Sequence, residues 1–424
     1  MSSTKQSNYY LIDCNQFYVS CEQVFNPKLK DQPVVVLSNN DGCIVARSKQ
    51  AKALNIPMGA PFYQYAELFK KKRVFVCSSN YALYGDLSQR VMSVLSRFSP
   101  HFEEYSIDEA FLLLESEDPL KIAQEIQQTV LKWTGIPVSI GIGPTKTLAK
   151  VANDIAKNTP SSQGIFAFKD KEHIDAILKT LPVQDIWGVG PRLSKTLNAA
   201  GIRHAGAFKE APDLWIKQQG SVTLLRTAWE LRSIPCLSLQ ELPVPRLSIT
   251  RSRSFGKPTS DWNDLAEALC SYAATALSDL RSEHLLPSFL TVFLMTSAFI
   301  KEAYHNSITL TLTEPTSYTP TVTSAAKDGL RKIYRKGYLY KKVGIILGGL
   351  LAEGSYQPDL FSSPTKNTAK QAKAMQLCDT INQRYQNKAL RFASEGIAQS
   401  WQMQRCNVSP RFTTAWKELL TIRI

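Results

Sequence analysis

The chain is short of the features that mark secreted, disulfide-built or membrane-spanning proteins. Its eight cysteines, at 14, 21, 43, 77, 236, 270, 378 and 406, include no CxxC pair. A chain of 424 residues has no need of disulfide staples, so these read as reduced, mostly buried thiols of a cytosolic protein. The opening residues MSSTKQSNYY do not follow the basic-then-apolar layout of a signal peptide. The most apolar stretch, 286–300, is interrupted by Ser, Thr and Pro and falls short of the ~18 uninterrupted apolar residues of a membrane helix. Negative charge is also in deficit: 36 Asp plus Glu face 50 Lys plus Arg, a formal charge of +14. Such a balance points to a polyanionic partner, nucleic acid first, although charge also serves solubility. The apolar fraction of 44% is that of a globular protein and excludes a disordered or fibrous chain. At ~150 residues per domain, about three domains are expected.

Periodicity supplies the organisation. Tyr9–Ile12 is a short apolar strand ending at Asp13. From Asp86 to Ser99, Leu87, Val91, Val94, Leu95 and Phe98 repeat at helical spacing. Strands follow at Phe102–Ile107 and Ala110–Glu115, on either side of Asp108-Glu109. Asp118-Pro119 opens a second helix with the stripe Ile122, Ile126, Val130 and Trp133, and Val138, Ile140 and Ile142 alternate as a fourth strand. Strand, helix, strand, strand, helix, strand is the split βαβ order of ferredoxin-like sheets, with residues 24–77 inserted after the first strand. The same order recurs, with strands at 246–254, 288–297, 306–313 and 341–351 and helices at 261–284 and 319–336. Between the two, 174–240 is helical and carries Gly188-Val189-Gly190. Glu353–Lys373, rich in Ser, Pro, Thr, Gln and Lys, reads as a linker, and a helix is expected over about 369–389.

The first strand and the central hairpin of such a sheet lie side by side, which gathers Asp13, Asp108 and Glu109 at one edge. Neighbouring residues of a flat strand point to opposite faces, so Asp108 and Glu109 converge only from the hairpin turn. Three carboxylates so close repel unless cations neutralise them. Hard oxygen donors with few His or Cys nearby favour Mg²⁺, and two such ions are the apparatus of in-line phosphoryl transfer. The plain reading is that Asp13 caps a strand and Asp108-Glu109 is a solvated turn. An aspartyl-phosphate phosphatase would need a second Asp where this chain has Asn15.

At this point the motifs become recognisable. Asp13-Cys-Asn-Gln-Phe-Tyr-Val-Ser-Cys-Glu22 and Tyr105-Ser-Ile-Asp-Glu-Ala-Phe111 resemble the metal-binding motifs of Y-family translesion DNA polymerases. Residues 38–47 (SNNDGCIVAR), 78–81 (SSNY), 145–150 (TKTLAK), 401–403 (WQM) and 409–411 (SPR) resemble the UmuC branch of that family, so the likeness covers nearly the whole chain. That branch supplies the catalytic subunit of an SOS-induced, error-prone polymerase. The resemblance implies an α+β multidomain, right-hand polymerase. The palm, ferredoxin-like, would be 1–23 and 78–173, with small fingers at 24–77. A helical thumb with a helix-hairpin-helix would span 174–240 and a βαββαβ little finger 243–352. A linker and docking region would occupy 353–424.

The resemblance also implies roles. Asp13, Asp108 and Glu109 would hold two Mg²⁺ ions for transfer from a dNTP to a primer 3′-hydroxyl. Tyr18 would be the steric gate against a ribose hydroxyl, with Phe17 beside it; the other reading of Phe17 is a core aromatic. Lys146, Lys150, Asn153 and Lys157 fall within about 60° on a helical wheel, a polar face that is plainly read as solvated. The family places Lys157 against the triphosphate, and Lys52 matches a second basic contact, with Lys49 where an aromatic is common. Gly188, Gly190 and Arg192 resemble a helix-hairpin-helix turn that binds a DNA phosphate. Lys146 and Lys150, on the helix that follows the fourth strand, with Arg251 and Arg253 on the first strand of the second sheet, would be further DNA contacts. Gln357-Pro-Asp-Leu-Phe361 looks like a sliding-clamp-binding pentapeptide, with Leu360 and Phe361 as its plug and Pro where Leu is usual. The partners implied are primer-template DNA, the sliding clamp, a processed UmuD′ dimer and a RecA filament, in a cytoplasmic, nucleoid-associated protein. Two rival functions remain open: a catalytically silent, clamp-tethered DNA-binding scaffold, and a template-restricted transferase that inserts one base.

Overall fold

The computed structural model describes residues 6–240, 245–356, 368–385, 388–399 and 401–420. The chain forms two compact units. One comprises Met1–Ser38, Gly42–Pro243 and Asn407–Ile424, the other Asn39–Asp41 and Val244–Cys406. The segments expected as palm and thumb, and that expected as fingers apart from Asn39–Asp41, thus share one unit, to which the C-terminal tail returns.

The first unit opens with β1 (Gln6–Cys14) and α1 (Phe17–Phe25). Then come β2 (Val34–Leu37), β3 (Ile44–Arg47), α2 (Lys49–Ala53), α3 (Phe62–Lys72) and β4 (Phe75–Ser78). These strands make a small sheet of their own, ordered β3-β2-β4, around a separate core of Val35, Leu37, Ile44, Ile56 and Phe69. The main path resumes with α4 (Tyr81–Leu95), β5 (Phe102–Glu104), β6 (Glu109–Ser116), α5 (Pro119–Thr134), β7 (Val138–Gly143), α6 (Lys146–Asn158) and β8 (Ile165–Ala167). Helix α4 starts five residues before its expected Asp86. Asn80 is its N-cap, its side chain accepting from the Leu83 amide, an Asn signal of the kind that opens helices. At α5 the Asp118 cap and the Pro after it are both present.

The strand order β5-β6-β1-β7-β8 is the one expected of a ferredoxin-like sheet with one strand added at the edge. Its central strand, β1, pairs antiparallel with β6 and β7. Tyr10 and Ile12 pack under α4 and α5, while Leu11 and Phe111 meet Ala149 of α6 on the other face. Coverage of both faces explains the unbroken apolar run Tyr9–Ile12. Helix α6 lies directly on the sheet because β7 carries glycines. A Cβ at Gly141 would stand 2.1 Å from the Asn153 amide nitrogen and 2.3 Å from the Ala149 carbonyl oxygen. Five helices follow: α7 (Lys171–Thr180), α8 (Pro191–Ala199), α9 (Ala205–Glu210), α10 (Asp213–Gln219) and α11 (Val222–Leu231).

The second unit is built on β9 (Ser248–Thr259), α12 (Trp262–Ser282), β10 (Leu285–Leu286), β11 (Phe289–Thr296), β12 (His305–Thr311), α13 (Thr319–Ile333), β13 (Tyr340–Gly348), β14 (Leu351–Ala352) and α14 (Thr368–Tyr385). The element order repeats that of the first sheet, but the strand order does not. It is β12-β11-β13-β9, with the first strand at the edge. Helices α12 and α13 cover one face. On the other, Phe293 and Phe289 lie over Gly344 and Gly348 of the neighbouring strand. The pentapeptide 357–361 lies outside the described residues. Among the described residues no helix is long and apolar enough to cross a membrane, and no cysteine is disulfide-bonded.

Candidate active site

Asp13 sits one residue from the end of β1, directly opposite Glu109 of β6 and Ser139 of β7. Odd positions of β1 face α6, so Asp13 and Glu109 share that face with Leu11 and Phe111. Asp108 lies in the turn before β6, and its carbonyl accepts from the Cys14 amide at 2.8 Å. The three carboxyl-bearing residues therefore meet around one strand pairing, with Glu109 in the strand and Asp108 in the turn.

Their present partners are cations and hydroxyls. Lys157 of α6 is ion-paired with Asp13, and Lys150 donates to both Glu109 oxygens at 3.0 Å. Ser106 Oγ donates to Asp108 Oδ1 at 2.7 Å. Asp13 is 7% exposed. Burial raises its pKa to about 7, with Glu109 adding to the rise and Lys157 opposing it. A desolvated carboxylate beside a second one is a site that wants positive charge. The donors here are hard carboxylate oxygens, which suits Mg²⁺ better than a soft metal. Among the described residues no group of three His, Cys, Asp or Glu side chains, Asp13, Asp108 and Glu109 included, is gathered closely enough to hold a metal ion; in this conformation Lys157 and Lys150 are paired with Asp13 and Glu109 instead.

Asp13 and Asp108 face a cleft of about 1220 Å³ lined also by Tyr18, Arg47, Lys52, Tyr81 and Lys157. Tyr18 is half-buried, stacked on Tyr84 with ring centroids 4.5 Å apart and planes at 16°. Phe17 contributes to the wall but is 3% exposed and belongs to the core. Lys52 is exposed at the rim. Its pKa is lowered by partial burial and by Arg47, Lys157 and Lys49 nearby. Such a concentration of positive charge opposite carboxylates suits a ligand carrying several negative charges. Arg47 and Tyr81 were not singled out by sequence. Each ends a motif, at 38–47 and 78–81, and that position was the available signal.

Lys146 was expected to contact DNA on a solvated helix face, and here the expectation fails. It is 3% exposed, ion-paired with Glu103, and donates to the Ser238 carbonyl at 2.9 Å. Asn153 on the same face is 1% exposed and donates to the Leu11 and Ser139 carbonyls. The polar face of α6 is packed on the sheet because Gly141 and Gly143 let it approach. Lys150 lies on that face too, its ammonium 5.0 Å from the Tyr105 ring centre and 5.6 Å from that of Trp187.

Gly188, at φ +87°, makes the turn that only glycine adopts freely. Gly190 is the N-cap of α8 with no side-chain cap, and Arg192 is exposed in the first turn. In the second unit Arg251 and Arg253 are opposite Ile345 and Val343, which places both on the helix-bearing side of the edge strand. Both are exposed, and Arg251 is paired with Asp279 of α12. The uncovered face carries Thr250, Ser252, Thr291, Thr309 and Lys342 instead; Thr291 and Thr309 share a hydrogen bond of 2.8 Å.

Residues 12–154 match the model of the impB/mucB/samB family, and 246–360 match that family's C-terminal domain. Residues 171–202 match the HHH motif of the IMS family, and 372–422 a domain of unknown function. The chain is 42% identical to Protein UmuC of Salmonella typhimurium over 98% of its own length and all of that protein. It is 36% identical to DNA polymerase IV of Picrophilus torridus over 47% of its length and 58% of that protein. Among solved structures it resembles a Y-family DNA polymerase chimera with a TM-score of 0.65 at 21% identity, covering 81% of this chain and 99% of the other. That likeness is one of fold, and it carries the α+β multidomain class expected from the motifs.

Proposed function

The chain belongs to the impB/mucB/samB family and is a Y-family DNA-directed DNA polymerase, and from that premise we propose error-prone translesion synthesis in the SOS response to DNA damage. The observation that carries the reading is the buried Asp13–Glu109 pairing, with Asp108 beside it, at a cleft walled by Arg47, Lys52, Lys157 and Tyr18. Asp13, Asp108 and Glu109 would hold two Mg²⁺ ions, whose charge would assist attack of a primer 3′-hydroxyl on the α-phosphate of a dNTP. Lys52 and Lys157, joined by Arg47, take the triphosphate and neutralise the leaving pyrophosphate as point charges. Tyr18 closes the sugar side of the cleft and excludes a 2′-hydroxyl. Among the described residues no side chain stands as an obvious general base, and positioning and electrostatics supply the catalysis.

Backbone contacts are assigned to the uncapped α8 start at Gly190, with Gly188 and Arg192 beside it, and to Lys150, Arg251 and Arg253. The clamp, the UmuD′ dimer and the RecA filament are proposed partners; Gln357, Leu360 and Phe361 are assigned to the clamp and the region after 369 to the others. Primer extension with each dNTP tests the reading. Wild type adds template-directed bases with Mg²⁺, while Asp108→Asn loses ~10³-fold or more and retains DNA binding. Extension by the Asn protein at the wild-type rate sinks the metal-site assignment. Failure of the wild type even with clamp, UmuD′ and activated RecA favours the silent scaffold.

A further inference from the structure

The tail beyond Cys406 lies within the match to a domain of unknown function, and its first residues are built into the first unit. The Asn407 amide donates to Ser78 Oγ and the Ser78 amide to the Asn407 carbonyl, both at 2.9 Å. Phe412, 9% exposed, stacks on Phe25 at the end of α1, with ring centres 4.7 Å apart and planes at 7°. The tail therefore grips both the last turn of α1 and the segment leading into α4.

Between these grips stands a buried polar relay. Asn80 is 2% exposed, and the two hydrogens of its Nδ2 are shared among Ser409 Oγ at 3.0 Å, the Ser409 carbonyl at 3.0 Å and the Pro410 carbonyl at 3.1 Å. With its oxygen accepting from Asn80, the Ser409 hydroxyl has its proton to give. It donates to Glu22 Oε1 at 3.0 Å. The same Glu22 oxygen accepts from the Tyr84 hydroxyl at 2.7 Å. Glu22 is 3% exposed and Tyr84 is fully buried, while Ser409 is half-buried. The Tyr84 ring is the surface on which Tyr18 stacks. Three links therefore join the tail to the aromatic that faces the sugar side of the cleft.

We propose that Ser409, through Glu22 and Tyr84, sets the plane against which Tyr18 lies and thereby tunes the discrimination between deoxyribo- and ribonucleoside triphosphates. Ser409 is a positioning residue, and the proposal rests on Tyr18 being the gate. Loss of the Ser409 hydroxyl leaves a buried carboxylate with one hydroxyl donor instead of two, and the Tyr84–Glu22 bond is free to re-aim. A ring displaced by a fraction of an ångström matters at a gate, because exclusion of one oxygen depends on contact distance.

The test uses the full chain under the conditions in which it extends a primer, comparing kcat/KM for dCTP and rCTP opposite a template dG. Tyr18→Ala is expected to lower the deoxy-to-ribo ratio by roughly a hundredfold. Ser409→Ala lowers it roughly fivefold, the factor equivalent to one hydrogen bond of ~1 kcal/mol, chiefly by raising rCTP use, and Ser409→Thr restores the wild-type ratio. An unchanged ratio in Ser409→Ala, or an equal loss for both nucleotides, overturns the proposal while a collapsed ratio in Tyr18→Ala leaves the gate standing. An unchanged ratio in Tyr18→Ala overturns the gate reading itself. Hydrogen exchange gives a second readout independent of turnover: Ser409→Ala should speed exchange in 17–25 and 81–88, and wild-type protection there removes the proposed link.

Discussion

Two sheets of this protein are written in the same string of elements, and only one of them encloses its first strand. In the first sheet β1 is central, paired on both edges and covered on both faces. In the second, β9 is an edge strand paired with β13 alone. A strand with four covered sides can carry a carboxylate out of water, and Asp13 is such a group. An edge strand keeps its charges half in solvent, as Arg251 and Arg253 do. The same order of elements thus yields a desolvated charge that demands a counter-cation in one place and a presented charge in the other. The difference comes from where the chain inserts its first strand, a choice the element order leaves open.

Ion pairs give the largest expected contrast. Lys146–Glu103 flanks the first sheet with side chains 4% and 8% exposed; Arg251–Asp279 lies on the second with 43% and 35%. Removing one partner of a buried pair strands the other charge and costs ~3 kcal/mol or more, whereas an exposed pair contributes ~0–1 kcal/mol. Glu103 also accepts from the Gln240 amide at 2.7 Å, which holds the chain leaving the last helix of the first unit, so its loss of charge balance is felt there too. Lys146→Met should therefore lower stability in urea by about 3 kcal/mol and Arg251→Met by under about 1. Equal costs would mean that burial does not separate the two sites.

Glycines sharpen the comparison at a smaller scale. A Cβ at Gly141 meets backbone atoms of α6 at 2.1–2.6 Å, while the nearest atoms to one at Gly348 all belong to the Phe289 ring, at 2.4–3.2 Å. A helix seated on a sheet has nowhere to go, but a ring on the uncovered face can swing outward. Gly141→Ala is expected to cost about 3 kcal/mol and Gly348→Ala about 1 kcal/mol, measured by the same unfolding transitions. Gly141→Ala should also reduce primer extension, because Lys150 and Lys157 reach the carboxylates only while α6 lies close. A Gly141→Ala protein of wild-type stability and activity would show that the helix can ride higher without consequence.

What the sequence disclosed follows the same division. The unbroken run Tyr9–Ile12 and the segment 306–313 were legible as strands because burial pattern is written directly in residue type. The carboxylates were legible because acidic residues at strand ends and turns in a basic chain are conspicuous. The polar face of α6 was misread. A helical wheel reports spacing, and the partner that buries Lys146 and Asn153 is two glycines on another element. The edge position of β9 was also hidden, since strand order depends on long-range pairing. Arg47 and the Asn80–Ser409–Glu22–Tyr84 relay depend on contacts between segments far apart in sequence, which spacing alone does not record.

The smallest effect expected is also the cleanest way to separate the two arginines of β9. An exposed cation that neutralises one phosphate contributes about −0.9 to the slope of log affinity against log salt for duplex DNA. Among the described residues Arg253 forms no ion pair, whereas the Arg251 guanidinium is already balanced by Asp279. To reach a phosphate, Arg251 must give up that pair, and the exchange of one anion for another releases little. Arg253→Ala should therefore make the slope shallower by about 0.9, with Arg251→Ala changing it by less than half as much. Lys146→Met, measured alongside at a temperature where it remains folded, should leave the slope unchanged because its ammonium never faces solvent. If Arg251→Ala shifts the slope as far as Arg253→Ala, then Asp279 yields its partner to DNA, and the pair on α12 is a resting contact rather than a competing one.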